Sequence, residues 1–185
     1  MIERLPFVLV TGNSGKLREA ERLLGFALEQ RAIDLPEVQS LDLRVVLEAK
    51  ADEAWRRLRE PLVVDETGLG LFALGGFPGP LIKWLLEAVG VAGLARLATA
   101  LDDRRATARC ALLYTDGRRR VVGEGATRGH LAAEPAGARG FGWDRVFIPE
   151  GESATYAQLC DAAKDRIGHR GQAWRDLHQR LMRTP

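Results

Sequence analysis

The chain has 185 residues and 46% hydrophobic content, enough to bury a real core in one domain or in two lobes sharing a sheet. Its 27 basic and 25 acidic residues leave a formal net charge of +2, too near balance for a general pull toward nucleic acid or a membrane surface. Cys110 and Cys160 have neither metal-ligand spacing nor a secreted disulfide framework, no apolar run reaches the roughly 20 residues of a membrane span, and the N-terminus lacks a signal-peptide pattern, so a reduced cytoplasmic protein is expected.

The apolar stretch Leu5-Pro6-Phe7-Val8-Leu9-Val10 reads as a strand and runs straight into Thr11-Gly12-Asn13-Ser14-Gly15-Lys16. Helical periodicity follows in Leu17, Ala20 and Leu24, with Gly25 as the stop. Glycines let a backbone turn tightly and approach a ligand, the first amides of a helix lack intrahelical acceptors, and Lys16 adds a full charge. The layout therefore predicts a phosphate site, although taken alone it also describes a turn carrying a solvated lysine. It is not a P-loop of the G-x-x-x-x-G-K-[ST] type: Gly12 and Gly15 enclose only two residues, and Leu17 stands where the magnesium-binding hydroxyl belongs.

Beyond Leu35-Pro36-Glu37, the apolar residues Leu47, Ala51, Ala54 and Leu58 recur at helical spacing until Pro61, with Lys50 beside the stripe. Residues 62–64 read as a short buried strand that gives way to a loop at Asp65-Glu66-Thr67-Gly68, a position ligand sites favour. Gly75-Gly76-Phe77-Pro78-Gly79-Pro80 is a stiff irregular loop, followed by helical signal over residues 81–89 and 94–101. Residues 107–114 and 119–125 form two strands around an Asp116-Gly117 turn, residues 141–148 a further strand, and Ile167, Gly171, Trp174, Leu177 and Leu181 one face of a C-terminal helix. A mixed α/β sheet follows. With no repeats and no long linker, residues 1–185 are expected to form a single domain.

Three sets of residues carry possible chemistry. Glu37, Asp65 and Glu66 are either solvated acids or the convergent carboxylates that octahedral magnesium on a polyphosphate requires. The chain has only four lysines, Lys16, Lys50, Lys83 and Lys164, and each falls beside a turn or motif already singled out; with Arg170 they are the best placed phosphate partners. In Gly140-Phe141-Gly142-Trp143-Asp144, two aromatics sit among glycines that leave room for a flat base, though the same pair could be one face of a core strand. Asp144 and His169 would then read polar edges of that base, unless His169 is a helix-surface residue. No Ser-His-Asp order, zinc motif or reactive-cysteine signature supports covalent catalysis.

Taken together, these segments resemble the inosine triphosphate pyrophosphatase family over nearly the whole chain. The carriers are TGNSGK at Thr11 to Lys16, LPE at Leu35 to Glu37, VVDETGL at Val63 to Leu69, ALGGFPGPLIKW at Ala73 to Trp84, FGWD at Phe141 to Asp144, and TYAQL with AAKDRIGHRGQA between Thr155 and Ala173. The resemblance implies an elongated mixed sheet with flanking helices, two lobes around a central nucleotide cleft, and a homodimer. It implies magnesium-dependent hydrolysis of aberrant purine nucleoside triphosphates (ITP, dITP, XTP) to monophosphate and pyrophosphate, which cleanses the nucleotide pool.

By position, Thr11, Gly12, Asn13, Ser14, Gly15 and Lys16 would hold the triphosphate, with Lys50 and Lys83 also in the nucleotide site and Thr67 binding substrate. Glu37 and Glu66 would hold the metal. Glu66, Asp65 and Lys16 form the expected catalytic set, with the family's proton acceptor at position 66. Phe141, Gly142, Trp143, Asp144, Lys164, His169 and Arg170 would hold and select the base. Hypoxanthine and xanthine carry a carbonyl at C6 where adenine has an amine, so donors facing C6 would reward one and repel the other.

Two departures stand out. The family's second acid is usually Asp, whereas this chain reads Asp65-Glu66; the added methylene moves the carboxylate by roughly 1.5 Å, so either Glu66 works from a shifted backbone or Asp65 takes part of its role. Gly168 stands where Ser commonly precedes His-Arg. A nucleotide sensor weakened in catalysis and a pyrophosphatase acting on modified pyrimidine nucleotides remain alternatives.

Overall fold

A computed structural model describes residues 6–183 as a mixed α/β architecture built on one seven-stranded sheet with helices on both faces. In chain order the elements are β1 (Val8–Val10), α1 (Ser14–Leu24), β2 (Glu29–Arg31), α2 (Leu43–Leu58), β3 (Leu62–Leu71), β4 (Pro78–Gly79), α3 (Ile82–Ala100), β5 (Arg105–Thr115), β6 (Arg120–Leu131), β7 (Phe147–Pro149), α4 (Asp161–Ile167) and α5 (His169–Arg183). Leu5, the expected start of the first strand, lies outside the described residues.

The strand order is β2-β1-β3-β5-β6-β7, with β4 on β3. β1 runs parallel to β2 and β3, whereas β3, β5, β6 and β7 pair antiparallel. β3 corrects the sequence reading, since it continues through Asp65-Glu66-Thr67-Gly68 rather than stopping at Val64. Its partner β5 explains why: the ladder is unbroken from Leu62↔Thr115 to Leu71↔Ala106. On the other edge of β3, β1 reaches only Val64 and β4 starts only at Leu69. Residues 65–68 thus lie on a paired strand whose second edge is open, and the cleft forms at that gap.

Side chains alternate across a strand, so β3 divides its residues between two cores. Val63, with Leu9, Cys110 and Leu112, packs against Ala20 of α1 and Ala173, Trp174 and Leu177 of α5. Leu62 and Val64, with Val8, Val10 and Leu113, pack against Leu47, Ala51 and Ala54 of α2, the helical stripe read from sequence. A third cluster joins Leu69 and Leu71 to Leu94 and Ala98 of α3 and to Leu131, Phe147 and Tyr156. Each fully buried leucine contributes about 1.5–3 kcal/mol.

Helix ends follow local chemistry. The side chain of Asn13 caps α1 and Gly25 closes it in the left-handed region (φ 76°), its N–H donating to the Glu21 carbonyl. The two helical signals around residue 90 are one element broken at Gly90 (φ 67°, ψ 176°). The expected C-terminal helix is instead two: α4 ends at Gly168, and α5 begins with His169. An ideal Cβ on Gly168 would stand 2.5 Å from the Lys164 carbonyl oxygen, so the serine common in the resembled family would be crowded here. Close approach of α5 to β6 depends on Gly125, whose Cβ would lie 2.1 Å from the His169 carbonyl oxygen.

The strand expected over residues 141–148 is also corrected: only Phe147–Pro149 is extended. Gly140 (φ 72°) and Gly142 (φ 59°) turn the backbone, and the Asp144 carboxylate accepts from the Phe141 N–H at 2.8 Å, which locks residues 141–146 into successive turns.

Candidate active site

A cleft of about 840 Å³ opens at the gap in the sheet, between the start of α1, α2, the start of α3 and the turns at residues 141–144. At its floor the Asn13 side chain accepts from the N–H groups of Gly15 (2.8 Å) and Lys16 (3.2 Å), and the Thr11 hydroxyl accepts from the Asn13 N–H at 3.0 Å. The Gln30 amide donates to the Thr11 carbonyl at 2.7 Å and fixes the turn from β2. The two motif glycines do not serve left-handed turns, since neither has a positive φ. Their lack of a side chain matters instead. A Cβ on Gly12 would meet open space in the cleft, and one on Gly15 would stand 2.3 Å from the Phe141 ring, so Gly15 is where the two loops touch.

Consecutive residues on β3 point to opposite faces, and the acid pair is therefore split. Asp65 points toward α1 and α5: one oxygen meets Lys16 at 2.6 Å and the Thr67 hydroxyl at 3.1 Å, the other the Arg170 guanidinium at 2.9 Å. Glu66 points toward α2 and pairs with Lys50, while its second oxygen accepts from the Thr67 N–H at 3.3 Å. The two carboxylates thus point to opposite faces of β3, each with its own lysine, although both line the cleft. Glu37 reaches the cleft from the preceding loop and meets Lys83 of α3 at 3.2 Å. Lys16 and Lys50 also donate to the Asp65 backbone carbonyl, at 3.3 and 3.5 Å.

Behind this row lies a buried charge network. Arg170 joins Asp65, Thr67 and Glu19; Lys164 joins Glu19 at 2.5 Å and Asp144 at 2.6 Å. Burial alone would raise the Asp65 carboxyl, but Arg170 and Lys16 outweigh it and hold Asp65 well below the usual carboxylate range. Glu19 is lowered in the same way: burial opposes, and Arg170 and Lys164 win. Asp144 has one cationic partner where Glu19 has two, and burial leaves its carboxyl raised. Burial would lower the Lys16 ammonium, yet Asp65 and Glu66 beside it leave it raised.

At the far end, His169 stacks on Tyr156 at 5.8 Å and meets Trp143 at a tilt at 5.2 Å, and both its ring nitrogens are buried without a hydrogen-bond partner among the described residues. Burial first, then Arg170 and Lys164, keep this imidazole well below its usual pKa, so it is neutral. Leaving two buried polar atoms unpaired is costly. Trp143 is mostly core, packed on Phe147 and Tyr156, and the half-buried Phe141 is the ring available to the cleft, braced by Lys164 and Arg170 at 5.1 and 5.4 Å.

Of the residues expected from sequence, Thr11, Gly12, Asn13, Ser14, Lys16, Glu37, Lys50, Asp65, Glu66, Thr67, Lys83, Phe141, Gly142, Trp143, Asp144, His169 and Arg170 line the cleft. Gly15 lies beneath Phe141 and Lys164 behind Asp144. Glu19 and Gln30 were missed. The signal for Glu19 was its spacing of three from Lys16, which puts both on one helix face; Gln30 left none, because β2 is too short to read.

No cluster of three or more metal-ligating side chains occurs among the described residues. Glu37 and Glu66 nevertheless suit magnesium, which takes hard oxygen donors and needs only one or two carboxylates when phosphate and water complete its shell. Asp65 does not, since its two oxygens take four donors, Lys16, Thr67, Arg170 and Cys110, where those of Glu66 take only Lys50 and the Thr67 N–H.

The sequence profile of the Ham1 family matches residues 7–180. A "dITP/XTP pyrophosphatase" of Pyrobaculum aerophilum is 41% identical over 172 residues, covering 91% of this chain and 92% of the relative. An "Inosine triphosphate pyrophosphatase" of Batrachochytrium dendrobatidis is 41% identical over 170 residues, covering 90% and 88%. Among solved structures, a HAM1 protein from Coxiella burnetii superposes with a TM-score of 0.82 at 27% identity, covering 98% of this chain and all of that one. With the family profile matching residues 7–180 and these relatives 41% identical over about nine-tenths of the chain, the chain belongs to the Ham1 family.

Proposed function

We propose that the protein hydrolyses aberrant purine nucleoside triphosphates (ITP, dITP and XTP) to the monophosphate and pyrophosphate, removing them from the nucleotide pool. One observation carries the reading: a single cleft joins a row of lysines and the carboxylates of Glu37 and Glu66 to a buried, unpaired His169 next to Arg170. The names of the aligned relatives agree with it.

The turn at residues 11–16 and the ammonium groups of Lys16, Lys50 and Lys83 bind the triphosphate. Glu37 and Glu66 would hold magnesium, which when bound would supply charge neutralisation and activation of a water. Water adds across the anhydride between the α- and β-phosphates, Glu66 accepts the proton it loses, and pyrophosphate departs. Asp65 is a positioning residue rather than a proton acceptor, because its lowered pKa and saturated oxygens leave it no basic lone pair. Phe141 stacks on the base, and neutral His169, the turn amides and Arg170 face its polar edge. A site relying on such hydrogen bonds leaves buried groups unpaired when adenine enters, a discrimination worth up to about 10⁴–10⁵.

We further read residues 1–185 as a single domain acting in the cytoplasm on free nucleotides rather than nucleic acid, and as a homodimer. No helix among the described residues is long and apolar enough to cross a membrane. Sedimentation showing a monomer at micromolar concentration would refute the dimer. For the activity, the purified protein with magnesium is given ITP, XTP, ATP and GTP, and products are separated by chromatography. Pyrophosphate release without preference for ITP or XTP removes the substrate assignment, and tight ITP binding without turnover marks a sensor instead.

A further inference from the structure

We propose that Glu66 and Glu37 are masked by Lys50 and Lys83 until phosphate takes those lysines, so that metal and polyphosphate bind the cleft cooperatively and neither binds well alone. The inference rests on the metal-dependent triphosphate reading given above, and it concerns the order in which the site is filled.

Every lysine facing the cleft is paired with a carboxylate of the same cleft: Lys16 with Asp65, Lys50 with Glu66, Lys83 with Glu37. Each of the three ammonium groups is neutralised in place. A divalent cation arriving alone must approach Glu66 past the Lys50 ammonium, and a triphosphate arriving alone must draw Lys50 away and leave Glu66 uncompensated. Arriving together, each ligand takes the partner the other releases. Two ligands that each remove the other's obstacle are coupled, and the coupling is reciprocal.

The three pairs are not equivalent. Asp65 keeps Arg170 and Thr67 when Lys16 leaves, so exchange there frees no metal ligand. The Lys50–Glu66 pair is largely shielded, with side chains 15% and 13% exposed, and the Thr67 N–H occupies the second oxygen of Glu66. It has the most to gain from exchange. The Lys83–Glu37 pair is 55% and 35% exposed, and water screens it. Lys50 is also suited to move, because its ammonium is held at 3.5 Å by the Asp65 carbonyl and needs only to swing from one acceptor to the next. Couplings between sites are typically about 5- to 150-fold, and the shielding assigns most of this one to Lys50.

Manganese is the probe, followed by electron paramagnetic resonance in the nucleotide-free full chain. Wild type is expected to bind Mn²⁺ weakly. Lys50→Met should tighten it roughly tenfold, within the usual range of coupling, Lys50→Gln should do the same, and Lys83→Met should change it by less than about threefold. Adding Glu66→Gln to Lys50→Met should abolish the gain. If both Lys50 variants, folded by circular dichroism, bind Mn²⁺ no more tightly than wild type, the masking is refuted. Lack of ITP turnover would remove the substrate assignment while leaving this comparison intact, so the two failures are separable.

Discussion

The two ends of the cleft use the same charged groups in opposite ways. At the phosphate end Lys50, Lys83, Glu37 and Glu66 form simple pairs that touch solvent. At the base end Arg170, Lys164, Glu19, Asp65 and Asp144 are all buried, and the two cations and the two central acids each have at least two partners. A pair left partly wet can exchange partners at low cost, because water compensates the intermediate. A dry, multiply bonded network cannot, since removing one member strands the others. Groups that must be re-partnered during turnover lie at one end, and groups that define a shape lie at the other.

Substitutions can break or sharpen that contrast. Glu66→Gln is expected to have the largest effect, lowering turnover by about 10²–10⁴, far more than it changes ITP binding by calorimetry; wild-type turnover would refute Glu66 as proton acceptor. Glu19→Ala should cost about 3–5 kcal/mol of stability in urea denaturation, because Arg170 and Lys164 lose a buried counter-charge. A loss under about 1 kcal/mol would mean the network is as soft as the phosphate end. Gly15→Ala should cost about 1–3 kcal/mol and weaken nucleotide binding, since the new methyl displaces Phe141.

The next effect is on pH. His169 has a folded pKa below its unfolded value near 6.5, so the unfolded chain takes up more protons as pH falls through about 6.5, and stability should drop by at most about 1.4 kcal/mol per pH unit. Asp144, raised by burial, acts in the opposite sense at lower pH, whereas Asp65 and Glu19, both lowered, add losses only below about 4. Thermal scans of wild type and His169→Asn at pH 7.5, 6.5 and 5.5 test this: the variant should be flatter, and identical slopes would refute the assignment. Smallest of all, Lys83→Ala should change stability by less than about 1 kcal/mol, and a larger loss would mean the mouth of the cleft is structurally coupled to the core.

Sequence was most informative where one local signal determines the outcome. Asn13 and Gly25 bound α1, the apolar stripe of α2 faces the sheet, and Gly90 breaks α3 where two helical signals meet. It failed where a distant partner decides. The extension of β3 past Val64 is dictated by β5, some forty residues later, and no residue in Asp65-Glu66-Thr67-Gly68 announces it. The consequence for the site was large: as loop residues Asp65 and Glu66 could have converged, whereas as strand residues they face opposite ways. Likewise Phe141 and Trp143 have the alternation of a strand, but Gly140, Gly142 and the Asp144 side chain impose turns that alternation does not encode. Glu19 was overlooked because a carboxylate on a helix is ordinarily solvated, and it is the fold that brings Lys164 of α4 and Arg170 of α5 onto it.

The open edge of β3 at residues 65–68 carries a risk of its own. An unpaired strand edge offers N–H and C=O groups to any other extended chain, and proteins usually blunt such edges with lysine or with a covering segment. Here the two ammonium groups of Lys16 and Lys50 converge on the Asp65 carbonyl, the acceptor an invading strand would need first. The lysines that make the cleft receptive to phosphate therefore also make it inhospitable to a β-strand, and the chain can keep a gap in its sheet without inviting aggregation there.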